Sequence, residues 1–158
     1  MRVNIFTILF FVSFFGFSQI KTPQPSPSSK LEQMVGLTEI EVEYNRPSKR
    51  GRVIFGDLVP FGKLWRTGAN SSTKISFSTG VEINGNKIKE GTYSIFSIPN
   101  KTNWDIILYS DAELWGVPKD WDDKKIVFKS NYNSLKFNSG NELETFTISI
   151  NNVSNNYF

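Results

Sequence analysis

The sequence predicts an all-β protein, organised as a single antiparallel β-sandwich-like domain with minimal helix. Many short segments alternate apolar and polar residues with a period of two, which is the period of a strand with one buried face. Turns rich in Asn, Gly and Ser separate these segments, and no segment keeps a helical apolar period over three turns. A chain of 158 residues suits one domain with its own core.

The N-terminal residues predict export from the cytoplasm. Arg2 gives a positive start to MRVNIFTILFFVSFFGFSQ, an apolar run follows, and Gly16 and Ser18 provide the small residues that a signal peptidase recognises. We therefore predict a signal peptide over residues 1–18, cleavage after Ser18, and a periplasmic or secreted location. An uncleaved N-terminal anchor is the alternative, although the apolar core is short for a membrane span.

Residues 19–30 predict a tether between the cleavage site and the folded domain. The segment IKTPQPSPSSK is rich in Pro and Ser, a composition that favours a solvated, extended chain. We expect folded structure to begin near Leu31, so that the β domain spans residues 31–158.

The predicted strands follow one another with little but turns between them. In TEIEVEYN, Ile40, Val42 and Tyr44 alternate with three glutamates, so one face is apolar and the other is acidic. VEINGNKI predicts a hairpin, because Asn84 and Gly85 tolerate the positive φ angles of a type I′ turn. The remaining predicted strands are KISFS (74–78), GTYSIFSIP (91–99), WDIILYS (104–110), KIVFKS (125–130) and ETFTISI (144–150), while DAELWG (111–116) suggests one turn of helix.

Composition excludes several classes of site. The chain has no His, so it cannot build a Ser-His-Asp or Cys-His nucleophile system or an ordinary zinc site, and it has no Cys to form disulfides.

Removal of residues 1–18 takes away one basic residue, Arg2, and lowers the net charge from +3 to +2. This near-neutral balance does not indicate nucleic acid as a partner. We assign no catalytic residue, metal or cofactor, and we expect no stable membrane span after cleavage.

The segment WRTGAN is the first candidate for a ligand site. Trp65 can provide an apolar platform, Arg66 a forked donor for carboxylate or phosphate, and Asn70 an amide that both donates and accepts. The alternative is architectural. In that interpretation Trp65 fills the core, Arg66 pairs with a strand carboxylate such as Glu41 or Glu43, and Asn70 bonds loop amides.

Three other patterns carry weaker functional interpretations. Arg46 lies in the basic loop RPSKRGR, which can form an anion-binding rim near WRTGAN or remain a solvated loop. KDWDDKK offers three aspartates, Asp120, Asp122 and Asp123, to a cation such as Ca²⁺. The segment lacks the central Gly and distal Glu of an EF-hand, so a polar surface loop is the alternative. Three tryptophans can form a sugar-stacking platform or can anchor core and loops: Trp104, Trp115 and Trp121.

A long distinctive block identifies a family resemblance. YNRPSKRGRVIFGDLVPFGKLWRTGANSSTKISFS, together with GTYSIFSIP, WDIILYSD and the Trp115-Gly116 pair, resembles an exported bacterial family known as domain of unknown function 2911. The resemblance covers about Leu31 to Ile150. It implies a compact, mostly β, secreted or periplasmic domain and carries over no catalytic residue. The chain departs from the family pattern at Ser71, where relatives often have Glu, so a site that used that acid would be altered here.

The resemblance also implies a further strand at the C-terminus. Relatives usually continue into a strand that contains Trp, whereas NNVSNNYF stops at Phe158. ETFTISI would then be an edge strand without its partner, and its unpaired amides and carbonyls predict self-association. The alternatives are a tolerated truncation, with ETFTISI already an edge strand, or a sequence cut short.

Three classes of function remain open from the sequence. We expect first a non-catalytic domain that binds a small polar or anionic ligand through Trp65, Arg66, Asn70 and Arg46. The second is a carboxylate-dependent hydrolase acting on glycans, which needs two facing carboxylates about 5–10 Å apart. Asp57 and Glu43 are the first pair to test for that role. The third is a purely structural or assembly domain.

Overall fold

The structure is a computed structural model, and it describes residues 22–135, 142–151 and 153. Eight strands lie in this part of the chain, with one short 3-10 helix, Asp123–Lys125. The strands are β1 Ser28–Val35, β2 Thr38–Asn45, β3 Thr73–Phe77, β4 Val81–Ile83, β5 Asn86–Ile88, β6 Gly91–Pro99, β7 Asn103–Tyr109 and β8 Ile126–Asn133.

Six of these strands form one antiparallel sheet in the order β1-β2-β3-β6-β7-β8, and β4 pairs with β5 as a separate hairpin. The prediction of an all-β, antiparallel domain with minimal helix is confirmed. The layer that packs on the large sheet consists of the hairpin and irregular segments. Within the described ranges, no helix has the length and hydropathy needed to span a bilayer.

The two faces of the large sheet carry separate apolar clusters because side chains alternate along each strand. On the face that we call the hairpin face, Phe77, Tyr93 and Leu108 form a buried cluster against β4 and β5. On the opposite face, the reverse face, Phe96 and Ile107 belong to a second cluster. The two clusters are formed by neighbouring residues of β6 and β7, so both faces are buried there, as the partly apolar pattern of GTYSIFSIP predicts.

The β4–β5 hairpin has the turn that its sequence predicts. Asn84 and Gly85 have φ angles of 48° and 76°, the left-handed conformation that a type I′ turn requires. The Asn84 amide also donates to the Tyr132 hydroxyl of β8 at 2.8 Å. The hairpin is thereby fixed across one end of the hairpin face, and it leaves the other end to irregular segments.

The C-terminal segment corrects a strand prediction. ETFTISI does not form a strand; it makes one isolated bridge, between Thr145 and Ser48, and runs across the uncovered end of the hairpin face. Its Phe146 ring packs edge-on against Tyr44 at 5.9 Å, and the Tyr44 hydroxyl accepts from Ile148 N at 3.2 Å. The apolar alternation reflects this packing and not a ladder of hydrogen bonds. The self-association predicted through this segment therefore has no edge strand to act through in the described part, and the predicted returning strand lies outside it.

The described chain enters the sheet earlier than predicted. β1 begins at Ser28, three residues before Leu31, and Arg46 N donates to Pro27 O at 2.9 Å. The predicted signal peptide, residues 1–18, lies outside the described residues. A second difference concerns DAELWG, which is irregular and not helical, because Trp115 makes an isolated antiparallel bridge with Ser71.

Candidate functional site

The WRTGAN segment pairs with β6 just beyond the point where β3 begins, at Thr73. Trp65 N donates to Ser97 O at 2.8 Å and Trp65 O accepts from Ser97 N at 2.9 Å, so the pair continues the antiparallel pattern. Because Ser97 faces the hairpin face, the Trp65 indole does so too. Its ring nitrogen donates to Gly68 O at 3.1 Å, which ties the indole to its own loop.

Trp65 stands at the centre of an aromatic cluster. Its ring centroid lies 5.7 Å from Phe55, 6.1 Å from Trp104 and 5.4 Å from Phe146, all in edge-to-face geometry. Such pairs hold rings in defined orientations. The four rings come from three segments of the chain, so the cluster joins the connection between β2 and β3 to β7 and to the C-terminal segment.

One edge of this cluster opens into a groove of about 1270 Å³, which we call the aromatic groove. Six aromatic side chains are among its lining residues: Phe55, Phe61, Trp65, Trp104, Tyr132 and Phe146. Trp65 itself is only 9% exposed. It is therefore a buried wall of the groove, which agrees with the architectural interpretation of this residue and also leaves one edge of the indole beside open space.

Arg66 also lines the groove, and one nitrogen of its guanidinium lacks a hydrogen bond. Its Nε is buried, and the described residues supply it with no hydrogen-bond partner. The predicted pairing with a strand glutamate is wrong. Glu41 binds Lys30 at 2.9 Å, and Glu43 lies along a cleft on the reverse face.

Basic residues outnumber acidic ones along the described lining of the groove. The basic lining residues are Lys49, Arg52, Arg66 and Lys101, and the acidic ones are Glu142 and Glu144. Lys49 forms an ion pair with Glu142, which lowers the pKa of that carboxyl, and Glu144 accepts from Arg50 N at 2.8 Å. With both acids engaged, the electrostatic balance of the groove favours an anion.

Asn70 and Arg46 hold the chain's own segments together. The Asn70 amide donates within 3.4 Å to Asn45 Oδ1 and Ser26 O, and the residue has a φ of 59°. The Arg46 guanidinium donates to Phe146 O at 3.1 Å and to Thr147 Oγ1 at 2.9 Å. Asn70 therefore positions a wall of the groove, and Arg46 fixes the C-terminal segment that closes one side of it.

The three downstream tryptophans do not form a common platform. Trp104 lines the aromatic groove, whereas Trp121 stacks on Tyr109 on the reverse face, with centroids 4.3 Å apart and an interplanar angle of 24°. Trp115 is 78% exposed. The three side chains therefore have three different environments.

The carboxylate candidates are also dispersed. Asp122 Oδ1 accepts from Lys124 N at 3.0 Å and Asp123 Oδ1 accepts from Trp121 Nε1 at 2.8 Å, so both stabilise their own loop. Among the residues that the structure describes, no group of three or more Asp and Glu side chains is arranged to hold a metal ion. Asp57 lies in the turn between groove residues Phe55 and Leu58, while Glu43 lines the reverse-face cleft, so the structure does not bring this pair into one pocket.

Sequence reasoning missed several groove residues. Phe55 and Phe61 precede WRTGAN in the same loop region, whereas Phe146 is distant from it in the chain. Their alternation or loop position indicates burial without indicating a partner. The signal that points towards two of them is proximity in sequence: Phe55 and Phe61 belong to the block that carries the family resemblance.

Comparison with protein families supports the resemblance. The model of the family described as "Protein of unknown function (DUF2911)" matches residues 26–158, which is most of the chain. Neither the curated proteins nor the solved structures include a match. The family comparison therefore confirms the resemblance, and its description assigns no reaction or ligand.

Proposed function

Because the chain belongs to the DUF2911 family, described only as proteins of unknown function, we propose its function from the geometry of the site. The proposed function is non-catalytic binding, in the periplasm or outside the cell, of a small anion that carries an apolar group. The ligand would occupy the aromatic groove beside Arg66. The observation that carries this proposal is the buried Arg66 Nε, which has no partner among the described residues.

An unsatisfied buried donor is costly, by about 1–3 kcal/mol, and native proteins seldom leave one without a purpose. Arg66 lines the groove, so its guanidinium is placed to donate to a carboxylate or phosphate bound there. Its buried Nε comes within reach of a ligand oxygen once the side chain shifts towards the groove. A guanidinium that is already in place and partly dehydrated loses little conformational freedom when it binds.

The rest of the groove indicates what the anionic group is attached to. Trp65 and Trp104 present rings that pack against one another at 6.1 Å, and Phe55 and Phe61 line the same groove. Apolar walls with a few placed polar groups are typical of small-molecule sites. The ligand therefore combines a carboxylate or phosphate with an aromatic or aliphatic body.

The acidic residues of the groove favour a binding role over a hydrolytic one, because both already have partners within the protein. Glu142 and Glu144, the acidic residues of the described lining, are engaged by Lys49 and by Arg50 N. An acid or base in catalysis needs a carboxyl that can reach the substrate. The predicted pair of Asp57 and Glu43 is divided between two faces of the sheet, so the hydrolase hypothesis gains no support from this site.

A thermal-shift experiment with matched ligand pairs tests the proposal. The purified protein, produced from the full chain so that any processing takes place, is melted with phenylacetate, indole-3-acetate or octanoate and with the uncharged amide of each acid. A ligand at about a hundred times its Kd should raise the Tm by roughly 5–10 °C. We expect this rise from at least one acid and a much smaller one from its amide.

Two variants make the result specific. Arg66→Met keeps the apolar length of the side chain but removes the donor, and should abolish the rise. Arg52→Ala removes another cation of the groove, whose guanidinium bonds its own loop through Ser48 O at 2.7 Å, and should retain most of it. Equal shifts from acids and amides, or no shift with any of them, would contradict the proposal and favour a structural role for the domain.

A further inference from the structure

The reverse face carries a second concave site, built at the ends of β1, β2 and β3. This cleft, which we call the polar cleft, has a volume of about 540 Å³ and is lined in part by Lys30, Glu43, Lys74, Glu113 and Trp115. Lys30, Glu43 and Lys74 point away from the hairpin face in the strand register, so the polar cleft and the aromatic groove lie on opposite faces of the sheet.

Trp115 is exposed although the backbone around it is anchored. Its side chain is 78% accessible, while Trp115 bridges to Ser71 and Ser72 N donates to Leu114 O at 2.9 Å. Leu114, the preceding residue, packs into the reverse-face cluster. The chain thus inserts Leu114 into the core and presents the next side chain, an indole, to solvent beside the cleft. An exposed indole on a fixed backbone is a ready binding surface.

The polar groups beside this indole are balanced in charge. The charged side chains of the described lining are two lysines and two glutamates, Lys30, Lys74, Glu43 and Glu113. Lys74 Nζ lies 2.7 Å from Glu113 Oε1, and Asn45 Nδ2 donates to Ser71 Oγ at 3.2 Å. In contrast to the aromatic groove, the polar cleft has no excess of either charge. It therefore offers both donors and acceptors without selecting an ion.

We propose that the polar cleft binds a neutral saccharide, with one sugar ring stacked on Trp115. The faces of a pyranose ring expose C–H bonds that pack on an indole, while the hydroxyls at the ring edge donate to carboxylates and accept from ammonium groups. Glu113 and Lys74 line the cleft together with Trp115 and would bond those hydroxyls. The site lies on the opposite face of the sheet from the aromatic groove, and its proposed ligand differs from the anion proposed there.

Native affinity electrophoresis tests this inference with four neutral polysaccharides: laminarin, soluble starch, xylan and galactomannan. The full chain is expressed, purified and run in gels with and without each polymer. We expect retardation by at least one polymer, loss of that retardation in Trp115→Ala, and its partial recovery in Trp115→Phe. Polygalacturonate serves as the charged comparison and should retard the protein less than the neutral polymer does.

Two control variants show whether retardation depends on the polar cleft. Leu37→Ala removes another exposed apolar side chain, 90% accessible in the turn between β1 and β2, and should be retarded like the wild type. Arg66→Met, at the aromatic groove, should also behave like the wild type. The inference is overturned if none of the four neutral polymers retards the wild type, if Trp115→Ala is still fully retarded, or if retardation occurs with polygalacturonate alone.

Discussion

Gly68 shows at the residue scale why the WRTGAN loop has the conformation it has. A methyl group at this position would lie 3.1 Å from Thr73 Oγ1 and 3.2 Å from the Asn45 carbonyl oxygen. Thr73 is fully buried and its hydroxyl donates to Thr67 O at 2.6 Å, so it cannot move aside without breaking that bond. The glycine therefore permits the close approach of the loop to the end of β2.

Gly68→Ala should destabilise the domain by about 1–3 kcal/mol, because the added methyl group overpacks this contact. Urea unfolding followed by fluorescence measures the change. Gly80→Ala is the control, since its new methyl group would meet only an ordinary contact, 3.5 Å from Ile88 O. Equal unfolding midpoints for the two variants would show that the loop can yield at Gly68.

Arg66 gives a second prediction at this scale. An arginine that formed a buried ion pair would cost about 3–5 kcal/mol when removed, because its partner would be left charged and unpaired. Here the buried Nε has no partner among the described residues, so Arg66→Met should leave the free energy of unfolding unchanged or raise it by up to about 1–3 kcal/mol. Urea unfolding without ligand measures this, and a loss of several kcal/mol would reveal a structural partner.

The β4–β5 hairpin is the element whose sequence and structure agree most closely. Gly85 has a φ of 76° and open space around the position of a Cβ, so a side chain there meets conformational strain and no steric contact. Gly85→Ala should cost about 1 kcal/mol, and Gly85→Asn should cost less, because Asn adopts this conformation more readily. Equal losses in the two variants, measured by urea unfolding, would show that the strain lies elsewhere.

The pairing of β7 with β8 gives a pH-dependent prediction. Asn131 donates to Asp105 Oδ1 at 2.7 Å and Lys129 Nζ lies 3.1 Å from Oδ2, and together they hold the pKa of Asp105 below its ordinary value of 3.8. A lowered folded-state pKa stabilises the fold above the unfolded-state pKa, and this contribution disappears as the pH falls through the folded-state value.

Asp105→Asn should therefore be less stable than the wild type by about 1 kcal/mol at pH 7, since Asp105 is partly exposed and its ion pair is screened. The difference should shrink as the pH falls below about 4, near the ordinary pKa of Asp. Urea unfolding at a series of pH values tests this. A difference that stays constant from pH 7 to pH 2 would assign the effect to packing.

At this scale the sequence predicts strands where apolar alternation coincides with a clear turn, as in GTYSIFSIP and VEINGNKI. It fails for ETFTISI, because alternation records which side chains are buried and not whether a ladder partner is present. It assigns the start of β1 to the tether, because SSK carries no apolar signal. Trp65 and Arg66 could be chosen from their local chemistry, whereas Phe146 could not, since its contact with Trp65 depends on the whole fold.

For the whole molecule, the N-terminal sequence predicts where the mature chain begins. Arg2, the apolar run and the small residues at Gly16 and Ser18 favour cleavage after Ser18. N-terminal sequencing of the exported protein should therefore start at Gln19, within a residue or two. Recovery of the exported protein with Met1 in place would support the uncleaved anchor instead.

One loop separates the two faces of the molecule. Trp65, Arg66 and Gly68 border the aromatic groove, and Ser71 and Ser72, only a few positions later, border the polar cleft. The two proposed sites are coupled only to the extent that a ligand at one of them changes the conformation of this shared loop. Thermodynamic linkage then requires reciprocity: the factor by which the saccharide changes the Kd of the anion equals the factor by which the anion changes the Kd of the saccharide.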